Sequence, residues 1–210
     1  MWIALCNWDH FGKDAEKAYS ALHTAALRKA KDAHDGSKDM ADTTMVQAYF
    51  LEGYAQHFLT DLFSSGHLRT PRRKLHENFF GDPENLPNPW PADGCAQKMH
   101  NEDCANGLWV RNLNGEGWAA YGDKQLFSSK SDRNLVQALK AAQAGADEVR
   151  KTRLTGEIPD ADDFAALQLT PILDESLSGM NYAPMFAESD GKLLFRNDVD
   201  DRNSYKSLKP

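Results

Sequence analysis

Apolar residues recur at helical spacing through the first third of the chain. Between residues 14 and about 33 they fall three or four positions apart, with lysines and acids between them. This pattern predicts an amphipathic helix that ends near Asp35 and Gly36. A second run, from about 42 to 63, is apolar on more than one side and is expected to be the central, buried helix. Gly66 is expected to end it in a left-handed conformation.

Beyond residue 66 the pattern indicates loops, a hairpin and shorter helices. Four prolines between residues 81 and 95 predict a long ordered loop. Asn114 and Gly115, flanked by apolar runs at 108–110 and 118–121, predict a small β-hairpin. A third helix is predicted from about 134 to 152 and a short fourth after Pro159. The tail after Gly179 shows no strong period, so the predicted fold is mainly α with a small β-hairpin and an irregular C-terminal tail.

Length and charge limit the classes of protein. The 210 residues fit a single domain over 1–210 that needs no disulfide to fold. There is no run of about 18 uninterrupted apolar residues, so no transmembrane segment is expected, and the apolar start lacks the features of a signal peptide. The net charge of -7 disfavours nucleic acid as the main partner, because a polyanion calls for a basic face.

The three cysteines leave the redox compartment open. Cys95 and Cys104 lie in a stretch containing Gly, Asn and Asp, where a short disulfide could close. An odd count then leaves Cys6 free or paired with a thiol elsewhere.

Candidate metal ligands begin on the second predicted helix. His57 and Asp61 are four residues apart, so their side chains leave one helix face about 6 Å apart along the axis. His67 follows just past the helix end, and His100 opens an acidic cluster. Imidazole nitrogen with carboxylate oxygen suits zinc, and the lack of a Cys-x-x-Cys pair argues against a closed thiolate site. On spacing alone, His57 as a hydrogen-bonded core residue stays an open alternative.

Three sequence elements together resemble the zinc-dependent phospholipase C and S1/P1 nuclease family. Its core, His-aromatic-Leu-x-Asp followed after five residues by His, stands here from His57 to His67. An upstream His-Phe ligand motif matches Asp9-His10-Phe11, and Asp14 and Tyr19 follow it in the expected order. The run 63–72 is similar to the bacterial branch of phosphatidylcholine-hydrolysing phospholipases C. The resemblance covers roughly residues 6 to 123.

The resemblance implies a ligand set for two zinc ions. His10, His57 and Asp61 would bind one ion, and His67 and His100 a second, with Asp61 bridging towards a further ion. The acid that completes the second site in the family falls on Cys104 here. Asp103 is the preferred substitute for this acid, and Glu102 is the alternate. His76 competes with His100 as the second histidine of this site.

The resemblance also implies roles outside the ligand set. Asp9 or Asp14 would orient the attacking water, and His23 is either a group that supports the site or an ordinary core or surface residue. The family binds further metal through a Trp, a His and an Asp that precede the residue matching His10, whereas only nine residues precede it here. The chain is therefore expected to lack an N-terminal segment or to hold fewer ions.

The expected function is zinc-dependent hydrolysis of a phosphodiester, most of all of phosphatidylcholine-type lipids, by metal-activated water. A phospholipid head group would be the partner, with peripheral membrane contact, and Phe79, Phe80 and Trp90 could meet lipid or a choline ammonium. Relatives of this kind imply a secreted or periplasmic protein. The alternatives are a single-strand nuclease of the same fold and a catalytically incomplete zinc-binding remnant that acts as a binding module.

Overall fold

The computed structural model describes residues 7–80, 90–174 and 179–208. The fold is mainly α, as the sequence predicts. Within the described residues the helices run as follows: α1 Gly12–Asp35, α2 Lys38–Asp61, α3 Ser65–Leu68, α4 Arg72–Phe80, α5 Trp90–Asn106, α6 Asp132–Thr155 and α7 Ala165–Gln168, with single 3-10 turns at Trp8–His10 and Ala161–Asp163. The predicted helices at 14–33, 134–152 and after Pro159 are thus confirmed, with ends shifted by a few residues.

The strands form two small antiparallel sheets. The first has the order β2-β1-β3, and the second the order β4-β5-β6. Their bounds are β1 Leu108–Arg111, β2 Gly117–Ala120, β3 Ile172–Leu173, β4 Phe186–Ser189, β5 Lys192–Arg196 and β6 Tyr205–Ser207. The predicted hairpin is confirmed, since Leu108 pairs with Ala120 and Arg111 with Gly117.

The second sheet corrects the expectation of an irregular tail. β4 and β5 are joined by Asp190 and Gly191, both with positive φ, and Ser189 pairs with Lys192 across the turn. An Asp-Gly pair in this conformation makes the tight turn that matches strand twist. That dipeptide is the sequence signal that indicates the hairpin, although the strands around it are too short to show a clear period.

Three long helices form the main body of the fold. The connection between α1 and α2 is two residues long, so the helices fold back antiparallel on each other. Helix α6 packs across both. The buried residues at these contacts are largely alanines, which let helix backbones approach closely: Ala26, Ala30, Ala48, Ala55, Ala138 and Ala141, with Leu27, Leu59 and Val149 between them.

Helix α2 is buried on one face only, which corrects the expectation of a central, buried helix. Ala48, Ala55 and Leu59 are fully buried, whereas Val46 is 71% exposed and Phe50 78%. Apolar residues lie on more than one side of α2, but the neighbouring helices that the structure describes cover only one side. We call its exposed side, formed by Val46, Tyr49, Phe50 and Tyr54, the apolar face of α2.

Gly66 does not end the second helix, because α2 finishes earlier, at Asp61. The glycine lies inside α3, pressed against α5. A Cβ placed on Gly66 would stand 2.5 Å from Sγ of Cys104 and 2.7 Å from Cδ2 of His100. Gly66 is therefore needed because a larger residue would not fit between α3 and α5. It is not the predicted left-handed residue at the end of a helix.

The prediction of a loop over residues 81–95 is wrong for its last six residues. Residues 90–95 already belong to α5, where Pro91 is tolerated because the first turn of a helix leaves its backbone N–H groups unpaired. The remaining part, 81–89, lies outside the described residues.

A second, smaller core fixes the position of α5. Leu75 of α4 and Ala96 and Met99 of α5 pack with Phe186 and Leu193 of the C-terminal sheet. The described part of the fold thus has a large hydrophobic core between the long helices and a smaller one under the C-terminal sheet, and α5 packs on the smaller core.

Trp118 ties the first sheet to the helices beside the site. The indole of this buried residue donates to Oδ1 of Asn134 at 2.7 Å, and the Asn134 amide donates to the carbonyl of Phe63 at 2.8 Å. The segment after α2, which leads to His67, is therefore held by a buried polar chain. None of the helices in the described part of the chain has the length and apolar composition needed to cross a membrane.

Candidate metal centre

His10, His57 and Asp61 form a first group of possible ligands. The 3-10 turn Trp8–His10 carries the first residue, and the last two turns of α2 carry the others. One ligand atom from each lies within 4.8 Å of the other two. Nδ1 of His10 is 2.7 Å from Oδ2 of Asp61, and the rings of His10 and His57 meet edge to face at 4.9 Å. Because His57 is exposed, this group opens to solvent.

His67, His100 and Asp123 form a second group that satisfies the same distance limit. They come from α3, from α5 and from the loop after β2. Nε2 of His100 is 3.3 Å from Oδ2 of Asp123, and Nε2 of His67 is 3.7 Å from Oδ1 of the same carboxylate. The structure thus brings together all five of the predicted ligand residues other than Asp103, divided between the two groups as expected.

Asp123 was missed by sequence reasoning. It lies 23 residues after His100 and follows Gly122 in a loop, so no helical or strand period links it to the histidines. Only the folding of the hairpin against α5 brings it there: the N–H of Gly122 donates to the Cys104 carbonyl at 3.2 Å. Ser64 then holds the carboxylate by donating to Oδ1 at 2.8 Å.

Hydrogen bonds orient both rings of the second group. His67 donates from Nδ1 to the carbonyl of His10 at 2.7 Å, and His100 donates from Nδ1 to Oδ1 of Asn101 at 3.1 Å. In the neutral form of either ring, a proton on Nδ1 leaves the Nε2 lone pair for a metal ion, and Nε2 is the ring nitrogen that faces Asp123. Bonds of this kind fix the tautomer and ring orientation of histidines that bind metal.

The two groups adjoin at Asp61. Its Oδ2 contacts His10 of the first group, and its Oδ1 lies 3.7 Å from Nδ1 of His67 in the second. Asp61 therefore links the two groups through the Nδ1 side of His67, whereas Asp123 faces the Nε2 side, and the bridging role that the resemblance implies stays a prediction.

The charges of the second group reinforce one another. The hydrogen bond with Asp123 and the contact with Cys104 raise the pKa of His100 to about 10, and the hydrogen bonds from His100 and Ser64 lower the pKa of Asp123. Burial lowers the pKa of His67. Without an ion, His100 and Asp123 thus form an ion pair around a neutral His67, and binding of a cation would displace the His100 proton.

Asp103 does not join the second group, contrary to the sequence expectation. Its buried carboxylate accepts two hydrogen bonds from Arg69, from Nε at 2.8 Å and from Nη2 at 2.5 Å. Although Asp103 shares a face of α5 with His100, three residues before it, its carboxylate is bound by Arg69 and not by the histidines. Glu102, the alternate, is exposed on the opposite side of α5.

The two predicted water-orienting acids have different surroundings. Asp14 is bound by Arg73, whose Nε lies 2.9 Å from its Oδ2, so the structure does not bring it to either group. Asp9 lies beside the first group, with Oδ1 3.7 Å from Nε2 of His10 and its side chain 55% exposed.

His76, the histidine that competes with His100, lies outside both groups. It is buried, accepts a hydrogen bond from the indole of Trp8 at 3.3 Å and contacts Asp93 through Nε2 at 2.8 Å. With both ring nitrogens engaged it has a structural role.

The disulfide left open between Cys95 and Cys104 is not formed, since both cysteines are free. Both lie on α5, nine residues apart, which separates their Cα atoms by about 13 Å along the helix. A disulfide needs Cα atoms within about 7 Å.

His23 belongs to a separate, buried cluster of charged groups. Its Nδ1 is 2.6 Å from Oε2 of Glu52, and its Nε2 is 3.2 Å from Oε2 of Glu148. Burial lowers the pKa of His23, but the proximity of Glu148 and Glu52 outweighs burial and raises it. Tyr19 stacks on the ring at 5.2 Å. His23 is therefore a charged core residue that links α1, α2 and α6, and does not support the metal groups.

The predicted contacts of Phe79, Phe80 and Trp90 with lipid or choline stay predictions, because the side chains of these residues lie outside the described part of the structure.

Comparisons of the chain with protein families, curated proteins and solved structures gave no match. The chemistry of the two groups of side chains therefore carries the functional inference.

Proposed function

We propose that this protein is a zinc-dependent phosphodiester hydrolase that binds two ions. The supporting observation is that two His-His-Asp groups lie next to each other. Asp61 of the first group contacts His10 of the same group and lies 3.7 Å from His67 of the second. Two ions held side by side are the usual arrangement for displacement at phosphorus.

The side chains present fit zinc. Each group offers two imidazoles and one carboxylate, which is the donor set and the number that open, catalytic zinc sites use. Because Nδ1 of His67 and Nδ1 of His100 are engaged in hydrogen bonds, Nε2 of each ring would be the atom that binds an ion beside Asp123. Zinc bound there would supply a water of lowered pKa and would neutralise charge on the phosphate oxygens.

The protein's own residues would position the reactants. His57 is the exposed member of the first group, so the substrate phosphate would approach from that side. Asp9 lies at the same edge, exposed, and is the carboxylate placed to accept a proton from the attacking water. Asp61, held by His10 at 2.7 Å, would keep the first group aligned during attack.

A phospholipid is the substrate class that the surroundings favour. From Thr43 to Thr60 no exposed residue of α2 is an Asp, Glu, Lys or Arg, and the apolar face of α2 ends at His57. Phe50 and His57 are seven residues apart and therefore share one side of the helix. An exposed apolar patch beside a reactive site suits a lipid surface, whereas nucleic acid calls for a basic one.

The test is hydrolysis of a chromogenic phosphodiester with a choline head group, in parallel with single-stranded DNA, at equal enzyme and zinc. We expect zinc-dependent release from the choline ester, abolished by a chelator and by His57→Ala but not by His34→Ala. Faster cleavage of DNA would favour the nuclease alternative. Stoichiometric zinc with no turnover of either substrate would identify a binding module.

A further inference from the structure

A chain of hydrogen bonds runs from α5 to the 3-10 turn that precedes α1. Asp93 lies in the first turn of α5, and its Oδ1 is 2.8 Å from Nε2 of His76 on α4. Nδ1 of the same ring accepts a hydrogen bond from the indole N–H of Trp8 at 3.3 Å. The two rings meet edge to face, with centroids 5.8 Å apart. Because His76 is buried, the middle of this chain is shielded from solvent.

The chain fixes the tautomer of His76. An indole N–H can only donate, so Nδ1 of His76 must carry a lone pair and no proton. The proton of the neutral ring is then on Nε2, which donates it to the carboxylate of Asp93. The guanidinium of Arg72 lies 3.1 Å from the same carboxylate oxygen. The three members of the chain therefore bind one another in one order of donors and acceptors only.

Further contacts hold the same turn against α4. Nε of Arg72 donates to Oδ1 of Asn7 at 2.6 Å, and its guanidinium lies 5.6 Å from the ring centre of Phe11. The guanidinium of Arg73 lies over the ring of Trp8 at 5.2 Å. Helix α4 thus holds residues before, within and after the turn.

The turn contributes to both groups of ligands. It is only three residues long, so its position depends on what packs against it. The side chain of His10 lies 2.7 Å from Asp61 in the first group, while its carbonyl accepts the hydrogen bond of His67 in the second. Phe11, the next residue, stacks on the ring of His67 at 4.6 Å. A shift of the turn would therefore displace one ligand and disturb the orientation of another.

We propose that Asp93, His76 and Trp8 are positioning residues that hold His10 in place for metal binding. The inference rests on the proposed function in taking His10 as a zinc ligand. The chain acts through the backbone of the turn, and none of its members contacts the ion. Hydrogen-bonding partners outside the ligand set commonly change metal affinity by about 10- to 100-fold. Because the turn also orients His67, its release would weaken both ions, whereas loss of the His10 imidazole alone would weaken one.

The first experiment measures the tautomer of His76 in the natural chain. Long-range proton–nitrogen correlation spectra of the nitrogen-15 labelled protein distinguish protonated from unprotonated ring nitrogens. We expect a bare Nδ1 and a protonated Nε2 at neutral pH, and an indole proton of Trp8 shifted by its hydrogen bond. The opposite tautomer, or a ring protonated on both nitrogens, would overturn the inference whatever the variants do.

The second experiment titrates zinc against a chelator of known affinity. Trp8→Phe keeps an aromatic ring beneath Arg73 but removes the donor, and is expected to weaken both ions roughly tenfold. His76→Leu should have the same effect. His76→Gln, whose amide can accept from Trp8 and donate to Asp93, is expected to restore most of the affinity.

Two controls separate positioning from loss of stability. Trp109→Phe makes the same change at an exposed indole on β1 and should leave zinc affinity unaltered. Val149→Ala removes two methyl groups from the main core and should lower the thermal unfolding midpoint with no effect on zinc affinity at 25 °C. Equal loss of zinc affinity in Val149→Ala and Trp8→Phe would overturn the positioning role.

The outcomes distinguish this inference from the proposed function. Unchanged zinc affinity in Trp8→Phe and His76→Leu would overturn the positioning role and leave the hydrolase intact. The expected losses of affinity, without phosphodiester hydrolysis by the natural chain, would support positioning and count against the hydrolase. A natural chain that binds no zinc would overturn both.

Discussion

The ring of His67 donates to the backbone carbonyl of His10 over 2.7 Å. His10 thus offers its side chain to the first group of ligands while its main chain orients a ligand of the second. The 3-10 turn Trp8–His10 is therefore common to both groups, and the side-chain and main-chain contributions of one residue can be separated by substitution.

Replacing His10 by Ala removes the imidazole and keeps the carbonyl. We expect His10→Ala and His57→Ala each to lose one of two zinc ions, with roughly 10- to 100-fold weaker binding, and to retain the second. Metal content of the gel-filtered protein measures this. His34→Ala is the control, since that exposed ring belongs to neither group and makes a hydrogen bond to the carbonyl of Arg153 at 3.1 Å. Loss of both ions from His10→Ala would show that its side chain also maintains the second group.

Asp123 and Asp103 give opposite predictions. Asp123→Asn removes an anionic ligand and is expected to weaken binding of the second ion, with little effect on unfolding by urea. Asp103→Asn leaves the partly buried Arg69 without a countercharge and is expected to lower the free energy of unfolding by about 2 to 4 kcal/mol while zinc content stays at two. Zinc loss confined to Asp103→Asn would restore the ligand assignment made from the sequence.

The His23 cluster predicts a dependence of stability on pH. Since the pKa of His23 is raised in the folded state, its charge stabilises the fold fully below about pH 6.5, and this contribution is lost as pH rises through the folded-state pKa. His23→Gln removes the cation between Glu52 and Glu148 and is expected to cost about 3 to 5 kcal/mol at low pH.

The measurement is urea unfolding of the natural chain and of His23→Gln from pH 6 upwards. The difference in the free energy of unfolding between them should shrink with rising pH. A constant difference would mean that His23 is neutral in the folded protein, and the exposed His34 again provides the reference substitution.

Gly66 and Gly53 form a matched pair of helical glycines. Gly66→Ala places a methyl group against Cys104 and His100 and is expected to destabilise the fold by about 1 to 3 kcal/mol and to disturb the second ion. A Cβ on Gly53 meets nothing within 4 Å, so Gly53→Ala should stabilise by about 0.5 to 1 kcal/mol. Thermal unfolding with and without zinc measures both. Equal shifts in the two variants would contradict the close contact between α3 and α5.

The apolar face of α2 predicts a difference between substrates. Phe50→Asp is expected to slow hydrolysis of phosphatidylcholine in vesicles at least about tenfold, because it places a charge where lipid would bind, and to leave a water-soluble choline phosphodiester unaffected. Phe127 is 87% exposed and lies in another part of the fold, so Phe127→Asp is the control. Equal loss on both substrates would show that Phe50 acts on the site itself.

Local spacing was sufficient to predict the parts of the site that lie on one helix. His57 and Asp61 share a face of α2 because a helix brings every fourth residue to the same side, and this follows from the sequence alone. The histidines on other elements could be grouped only through the resemblance to a family, since nothing in their spacing relates α3 to α5.

The rest of the site depends on tertiary packing. Asp103 is close to His100 in the sequence, but its carboxylate is bound by Arg69. Asp123 is distant in the sequence, and the fold of the hairpin brings it beside His67 and His100. The burial of α2 was misjudged for a similar reason, because an apolar composition does not show how many neighbours a helix has.

Helix α5, which carries His100, depends on contacts with residues that are made much later, between 182 and 193. Its buried residues pack with Phe186 and Leu193, and Arg69, which holds Asp103 of α5, also donates to the carbonyl of Tyr182 at 2.7 Å. As the nascent chain leaves the ribosome, α1 and α2 can pair early, but α5 gains these contacts only after residue 193 has emerged. The second group would thus acquire its geometry only after residue 193 has been made, and its ion would enter after α1 and α2 have paired.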